Sequence, residues 1–190
     1  MKIIISGPPG SGKSSVAKIL SSKLSIKYVS AGLIFRDLAK RMNIDIVKLN
    51  KLAEDDFEID KKIDLEMFKL IKSQDNVIIE SHIGGWLFHN LSDLSIYLRA
   101  PLDVRAKRIA SRDHISEDEA IIQIIKRERS HRERFLRYYG IDILDLSVFD
   151  LVINTSYLLP EDVADIILGV ISRKTYTRLC GIDLLNIYPE

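Results

Sequence analysis

A chain of 190 residues with 28 basic and 27 acidic side chains carries a formal charge of +1, so bulk electrostatics offers no attraction to nucleic acid or to a membrane surface. The length suits one domain with a sizeable core and a small insertion, and leaves a second independent domain cramped. The single cysteine, Cys180, excludes an intrachain disulfide, and neither a twenty-residue apolar run nor a signal-like segment is visible, so the expected setting is reduced and cytoplasmic.

Lys2 to Ser6 reads as a buried parallel strand. It runs straight into Gly7-Pro8-Pro9-Gly10-Ser11-Gly12-Lys13-Ser14, a full G-x-x-x-x-G-K-[ST] phosphate loop. Ser14 to Leu24 then reads as a helix packed through Val16, Ala17, Ile19, Leu20 and Leu24. Glycines in the loop allow the tight turn that aims successive N–H groups at phosphate oxygens. Lys13 is spaced to reach β- and γ-phosphates and Ser14 to offer a hydroxyl to Mg²⁺, while the helix adds its positive end to the same anion. Because the first residues are themselves strand and loop, no cleaved targeting segment is expected.

Ile26 to Val29 is the next strand, followed by Ser30-Ala31-Gly32 and a helix over Leu33 to Arg41. Asn43 to Asn50 reads as polar and irregular. Residues 51 to 72 carry Leu52, Ile59, Ile63, Phe68, Leu70 and Ile71 amid alternating charge, which predicts one or two surface helices. Asn76 to Ile79 is a strand ending in Glu80, and Leu94 to Leu98 another. Pro101 starts a helix through Arg112 at the first helical position. Ser116 and Glu119 form a capping box for a helix to about Tyr139. Leu151 to Asn154 is the last strand, and Pro160 opens a helix through Ile171. Strands alternating with helices predict an α/β fold, a parallel five-stranded sheet flanked by helices with a nucleotide crevice at the strand C-termini.

A phosphate loop alone leaves ATPase, GTPase, transporter subunit and small-molecule kinase open. The absence of an Asn-Lys-x-Asp segment counts against a GTPase. Arg36 lies on the first turns of a helix at a strand end, where a guanidinium can hold an acceptor phosphate bidentately; the alternative is a surface salt bridge with Asp37. Arg105, Arg108 and Arg112 follow Pro101, the last two on one face. Arg127 and Arg134 are nearly eclipsed at 3.6 residues per turn, so one face can present both to a polyphosphate. On a mobile lid they would neutralise charge and exclude water; interleaved Glu119, Glu128 and Glu133 offer the plainer reading of a charged helix. Glu80 is a candidate for holding Mg²⁺ through its water shell or orienting the acceptor, against a loop-anchoring role. Asp60 could accept from an exocyclic amine or sugar hydroxyl, and Trp86 with Phe88 could line a base pocket or simply be core. The histidines show no H-E-x-x-H spacing, and no G-x-S-x-G elbow is present.

The segments GPPGSGKS at 7 to 14, VSAGLIFRDLA at 29 to 39, LAEDDFEIDKKID at 52 to 64, VIIESHIGGW at 77 to 86, LRAPLDVRAKRIASRD at 98 to 113, RERSHRERFLRYYGID at 127 to 142 and FDLVINTS at 149 to 156 resemble, in order, the archaeal type of cytidylate kinase. The resemblance spans residue 2 to about 171. It implies a P-loop NTPase fold with CORE, NMP-binding (about 30–72) and LID (about 113–140) regions over 1–171, and an extension of unknown role over 172–190. It implies transfer of the γ-phosphate of ATP, with Mg²⁺, to CMP or dCMP. Gly7, Pro8, Pro9, Gly10, Ser11, Gly12, Lys13, Ser14 and Ser15 would hold ATP, with Arg108 and Arg112; Ser30, Arg36 and Asp60 would lie on the acceptor side; Arg127 and Arg134 would belong to the lid. Where such kinases show an acidic residue then Gly-Arg, this chain has Glu80-Ser81-His82, placing His82 where an arginine would meet the acceptor phosphate. Other acceptors, UMP or AMP, and a nucleotide-dependent switch or regulatory ATPase are the alternatives. A monomer is expected with a dimer left open, and the apolar C-terminus (Tyr176, Leu179, Ile182, Leu184, Leu185, Ile187, Tyr188) could dock on the core or on another subunit.

Overall fold

In the computed structural model of the chain, residues 1–177 are described. Five parallel strands form one sheet in the order β2-β3-β1-β4-β5. They are β1 (Lys2–Ser6), β2 (Lys27–Ser30), β3 (Val77–Glu80), β4 (Leu94–Arg99) and β5 (Leu151–Asn154). The central β1 pairs Ile3 with Ile78 on one side and with Leu94 on the other. Ile3, Ile4 and Ile5 are all fully buried because both faces of the sheet are covered, which is why the strand reads as an unbroken apolar run.

Ile3 and Ile5 point to one layer, where Val16, Ala17 and Leu20 of α1 (Lys13–Leu24) meet Val163, Ala164 and Ile167 of α8 (Pro160–Thr177). Ile4 points to the other, among Met67 and Ile71 of α4 (Phe57–Ser73) and Phe88 of α5 (Gly84–Phe88). Arg99 and Ser6 sit at the strand C-termini, so the loop that follows β1 lies at the crevice.

Ser30 ends β2 and caps α2 (Ala31–Arg41), its Oγ accepting from the Leu33 N–H at 3.4 Å. The stretch Asn43 to Asn50, read as irregular, instead contains the start of α3 (Ile46–Asp55). Asp45 caps it by accepting from the Lys48 N–H at 2.7 Å, and Leu49 and Ala53 are fully buried against Ala39 and Ile59. After β4, α6 (Leu102–Asp113) begins one residue later than expected: Pro101, with ψ 156°, is its N-cap and not its first helical residue. α6 makes an antiparallel hairpin with α7 (Glu117–Tyr139) around Ala106, Ile109, Ala120 and Ile124. The expected capping box is present: Ser116 Oγ accepts from the Glu119 N–H at 3.2 Å and Glu119 Oε2 accepts from the Ser116 N–H at 3.0 Å. α8 runs beyond Ile171 to Thr177, and the apolar C-terminal residues from Leu179 onward, with Cys180, lie outside the described residues. Among the described residues no helix is long and apolar enough to cross a membrane.

Candidate functional site

The loop after β1 is shaped by what lies behind it. Gly7 has φ +144°, and a Cβ there would stand 2.1 Å from the Leu98 carbonyl oxygen; at Gly10, with φ +80°, a Cβ would meet the Arg105 carbonyl oxygen at 2.8 Å. Only glycine lets the loop lie this close to β4 and α6. Arg105, nearly buried, donates from Nε to the Ala100 carbonyl at 2.9 Å and from Nη1 to the Pro9 carbonyl at 3.2 Å, and is paired with Glu128 at 2.5 Å. Arg108 donates to Thr155 at Oγ1 (2.9 Å) and at the carbonyl (2.6 Å), and to the Gly10 carbonyl at 3.4 Å. Thr155 Oγ1 in turn donates to the Ser11 carbonyl at 3.0 Å. Carbonyls of Pro9, Gly10 and Ser11 are thus held from the α6 and β5 side, the preorganisation a phosphate cradle needs. Arg108, expected to contact ATP, is engaged here with the loop backbone and Thr155.

Lys13 lies across the loop, Nζ donating to the Pro8 carbonyl at 2.8 Å. Burial pulls its pKa down to about 8, with Arg127, Arg105 and Arg112 adding to the effect and Glu80 opposing it. Glu80, at the end of β3, accepts from Ser14 Oγ at 2.8 Å and from the Tyr28 hydroxyl at 2.5 Å, one bond on each oxygen. Burial pushes the Glu80 carboxyl up, but Lys13 and the hydroxyls of Tyr28, Ser14 and Ser30 outweigh it, so the group stays ionised. Ser14 and Glu80 together are a pair of hard oxygen donors at the loop's edge, a set that fits Mg²⁺ carried in on nucleotide phosphates.

On the opposite wall Arg36 is exposed and folds back over the first turn of α2, where a Cβ on Gly32 would lie 3.8 Å from its Nη1 and 3.6 Å from Ser30 Oγ. The alternative salt bridge is not made, because Asp37 pairs with Arg41 at 2.5 Å. Arg127, exposed to solvent as a residue, faces this region from α7: protein packed around its guanidinium lowers its pKa first, then the nearby charges of Arg112 and Arg36, against Asp113 and Glu128. Arg112 itself is paired with Asp113 at 2.7 Å. Lys13, Arg36 and Arg127 therefore converge with too little negative charge among them, which is the electrostatic signature of an anion site.

Arg134 does not join that group. Its Nη1 lies 3.0 and 2.9 Å from the two oxygens of Asp60, in a pair with 2% and 10% side-chain exposure. Asp60, read as an acceptor ligand, is committed to this pair. Four residues on, Asp64 accepts from the Tyr139 hydroxyl at 2.5 Å, and burial raises its pKa to about 7 against that hydrogen bond. The Tyr138 hydroxyl also donates to the Glu54 carbonyl at 2.9 Å and its ring stands 4.8 Å from Phe57, so the C-terminal half of α7 is fastened to α3 and α4.

His82 packs edge-on against His131, ring centroids 4.3 Å apart, and His131 stacks on Phe135 at 5.3 Å. Trp86 sits in an aromatic core with Tyr97 and Phe149 and donates to the Asp145 carbonyl at 2.7 Å. Gly85 beside it has no room for a Cβ, which would lie 2.1 Å from the Phe149 ring. Phe88 is likewise core. Residues not singled out from the sequence but present around the site are Tyr28, Asp64, His131 and Thr155. Thr155 follows a strand C-terminus, the one signal that could have found it.

The cytidylate kinase-like family model matches residues 2–157. The chain is 60% identical over 167 residues, covering 88% of it and 93% of the relative, to a protein of Sulfurisphaera tokodaii named cytidylate kinase. It is 59% identical over 172 residues, 90% of it and 91% of the relative, to a protein of that name from Saccharolobus islandicus. Among solved structures, the shikimate kinase of Bacteroides thetaiotaomicron shares the fold, with TM-score 0.62 at 14% identity, covering 90% of this chain and 98% of that one.

Proposed function

Because the chain belongs to the cytidylate kinase-like family, we propose that it transfers the γ-phosphoryl group of ATP to CMP or dCMP, giving CDP or dCDP and ADP, through the crevice between the phosphate loop, Arg36 and Arg127. The convergence of Lys13, Arg36 and Arg127 carries this reading, since two phosphate-bearing substrates supply the negative charge that the three cations lack. ATP occupies the loop from Gly7 to Ser15, with Lys13 on the β- and γ-phosphates. Ser14 and Glu80 would hold Mg²⁺, which would supply charge neutralisation on the phosphates. Arg36, beside Ser30, holds the acceptor phosphate in line, and Arg127 faces the transferring group. Arg134 and Asp60 fix the acceptor side in place from within.

A phosphate monoester is already largely dianionic near neutrality, with its second pKa about 6, so its oxygen attacks the γ-phosphorus without a protein base. The residues contribute alignment, charge and exclusion of water. Loop, acceptor arginine and lid arginine all come from one chain, which supports a monomer as the working unit. The NMP-binding region corresponds to α2 through α4 and the moving lid to the α6–α7 hairpin end, with the C-terminal half of α7 belonging to the acceptor side. A cytoplasmic setting, with its supply of ATP, is part of the same proposal.

Phosphate transfer assayed with ATP across CMP, dCMP, UMP, AMP and GMP tests it. CMP and dCMP should be the preferred acceptors, with little ATP hydrolysis in their absence. Hydrolysis indifferent to every monophosphate would instead make the protein a nucleotide-dependent switch or ATPase.

A further inference from the structure

Resting on that reading, we propose that His82, Ser130 and His131 read the base of the acceptor through hydrogen bonds to its edge, its phosphate being left to Arg36 and Arg127. The observation is a concentration of unmet hydrogen-bonding capacity. Among the described residues, the buried side-chain polar atoms without a partner are Ser11 Oγ in the loop, both ring nitrogens of His82, Ser130 Oγ, His131 Nδ1 and Arg134 Nε. All but the first belong to one place. Positions 127, 130, 131 and 134 fall within about 100° of arc on α7, and the His82 ring lies against that stripe, 4.3 Å from His131. Buried donors and acceptors are rarely left unpaired, so a group of them marks where a ligand or an ordered water belongs.

Their chemistry selects the part of the ligand. Arg134 Nε only donates, whereas a serine hydroxyl and an imidazole each donate and accept. That mixture complements the edge of a heterocycle, where an amine, a ring nitrogen and a carbonyl stand side by side. A phosphate only accepts, and fixed cations serve it better. Burial lowers the His131 pKa well below the ordinary imidazole value, and His82 and Arg134 reinforce it. Ser130 and Arg134 also line an open cleft at the α3–α4 corner with Glu54, Asp55, Glu133, Leu136 and Arg137. His82 as a residue is only partly buried while its nitrogens are sealed, so the ring must turn to meet a base. Turning it would bring those nitrogens to an incoming base.

Three variants test the assignment: His82→Phe and His131→Phe, which keep the ring packing and remove the nitrogens, and Ser130→Ala. Each should raise the KM for CMP about tenfold, the loss of one buried hydrogen bond, and weaken directly measured cytidine binding by the same factor. The KM for ATP and competition by ribose 5-phosphate should not move. An unchanged CMP KM overturns the proposal, and so does equal weakening of ribose 5-phosphate, which would put these residues on the phosphate. If a ring variant does not fold, the natural protein decides by NMR: the ring ¹⁵N signals of His82 and His131 must shift with cytidine and not with ribose 5-phosphate, and stationary signals refute it. A wild-type protein that binds cytidine yet fails to phosphorylate CMP would overturn the proposed reaction and not this site.

Discussion

Asp60→Asn removes one charge from a pair whose side chains are 10% and 2% exposed, leaving the Arg134 guanidinium enclosed without its carboxylate. Such an uncompensated buried charge costs about 3–5 kcal/mol. For a domain of this size that corresponds to a fall in Tm of roughly 6–20 °C, at about 2–4 °C per kcal/mol. The pair is nevertheless a poor source of stability, because burial pushes the Asp60 carboxyl up by more than Arg134 brings it down. Enclosure therefore costs more than pairing returns. The double variant Asp60→Leu/Arg134→Met should accordingly unfold within about 1 kcal/mol of the natural protein, or later. Urea unfolding of the substrate-free protein, followed by far-UV circular dichroism, measures both. A loss below about 1 kcal/mol in the single variant, or a double variant as unstable as the single, would refute the account of Arg134 as a structural cation. With both variants folded, turnover then reports separately what the pair does for the reaction.

Tyr28→Phe leaves Glu80 with the Ser14 hydroxyl but frees its other oxygen. Half-saturating Mg²⁺ for turnover should rise about tenfold, the usual effect of losing an outer-shell partner; an unchanged Mg²⁺ dependence would exclude Glu80 from the metal's surroundings. Asp64 has a folded pKa raised from 3.8 to about 7, so the stability it contributes is full below about pH 4 and lost as pH rises through 7. Asp64→Asn should flatten the substrate-free stability profile across that window, and an unaltered slope in urea titrations would rule the group out as its source. Lys13 is depressed from 10.5 to about 8, so the native state holds fewer protons than the unfolded one in between and stability should rise with pH over that range. Lys13→Ala should abolish that rise and lower turnover by orders of magnitude; near-normal turnover would remove Lys13 from the chemistry.

The strands and the loop were legible because their signals are local. Three consecutive isoleucines running into a phosphate loop read as a doubly covered strand, and Gly7 and Gly10 face backbone that leaves no room for a side chain. The start of α3 carries a local signal, the Asp45 cap and the spacing of Ile46, Leu49 and Ala53, but Asn43, Asp45, Lys48 and Asn50 made the stretch read as irregular. What the sequence could not provide was pairing at a distance. Arg127 and Arg134 look equivalent on one helical face, and the position of Asp60, on α4, separates the paired Arg134 from Arg127, which makes no ion pair among the described residues. Trp86 looked like a pocket wall for the same reason, since nothing local announces that Phe149 closes over Gly85.

α7 runs unbroken for 23 residues, roughly 35 Å at 1.5 Å per residue. One end is zipped to α6 over the phosphate loop and the other is tied to α4. A rod attached at both ends cannot tilt over one substrate without shifting what it touches at the other. The two substrates should therefore sense each other before any bond changes: if CMP tightens ATP by some factor, ATP must tighten CMP by the same factor. Calorimetric titration of CMP with and without a non-hydrolysable ATP analogue measures that factor, and a value of one would mean that the two ends of the helix move independently.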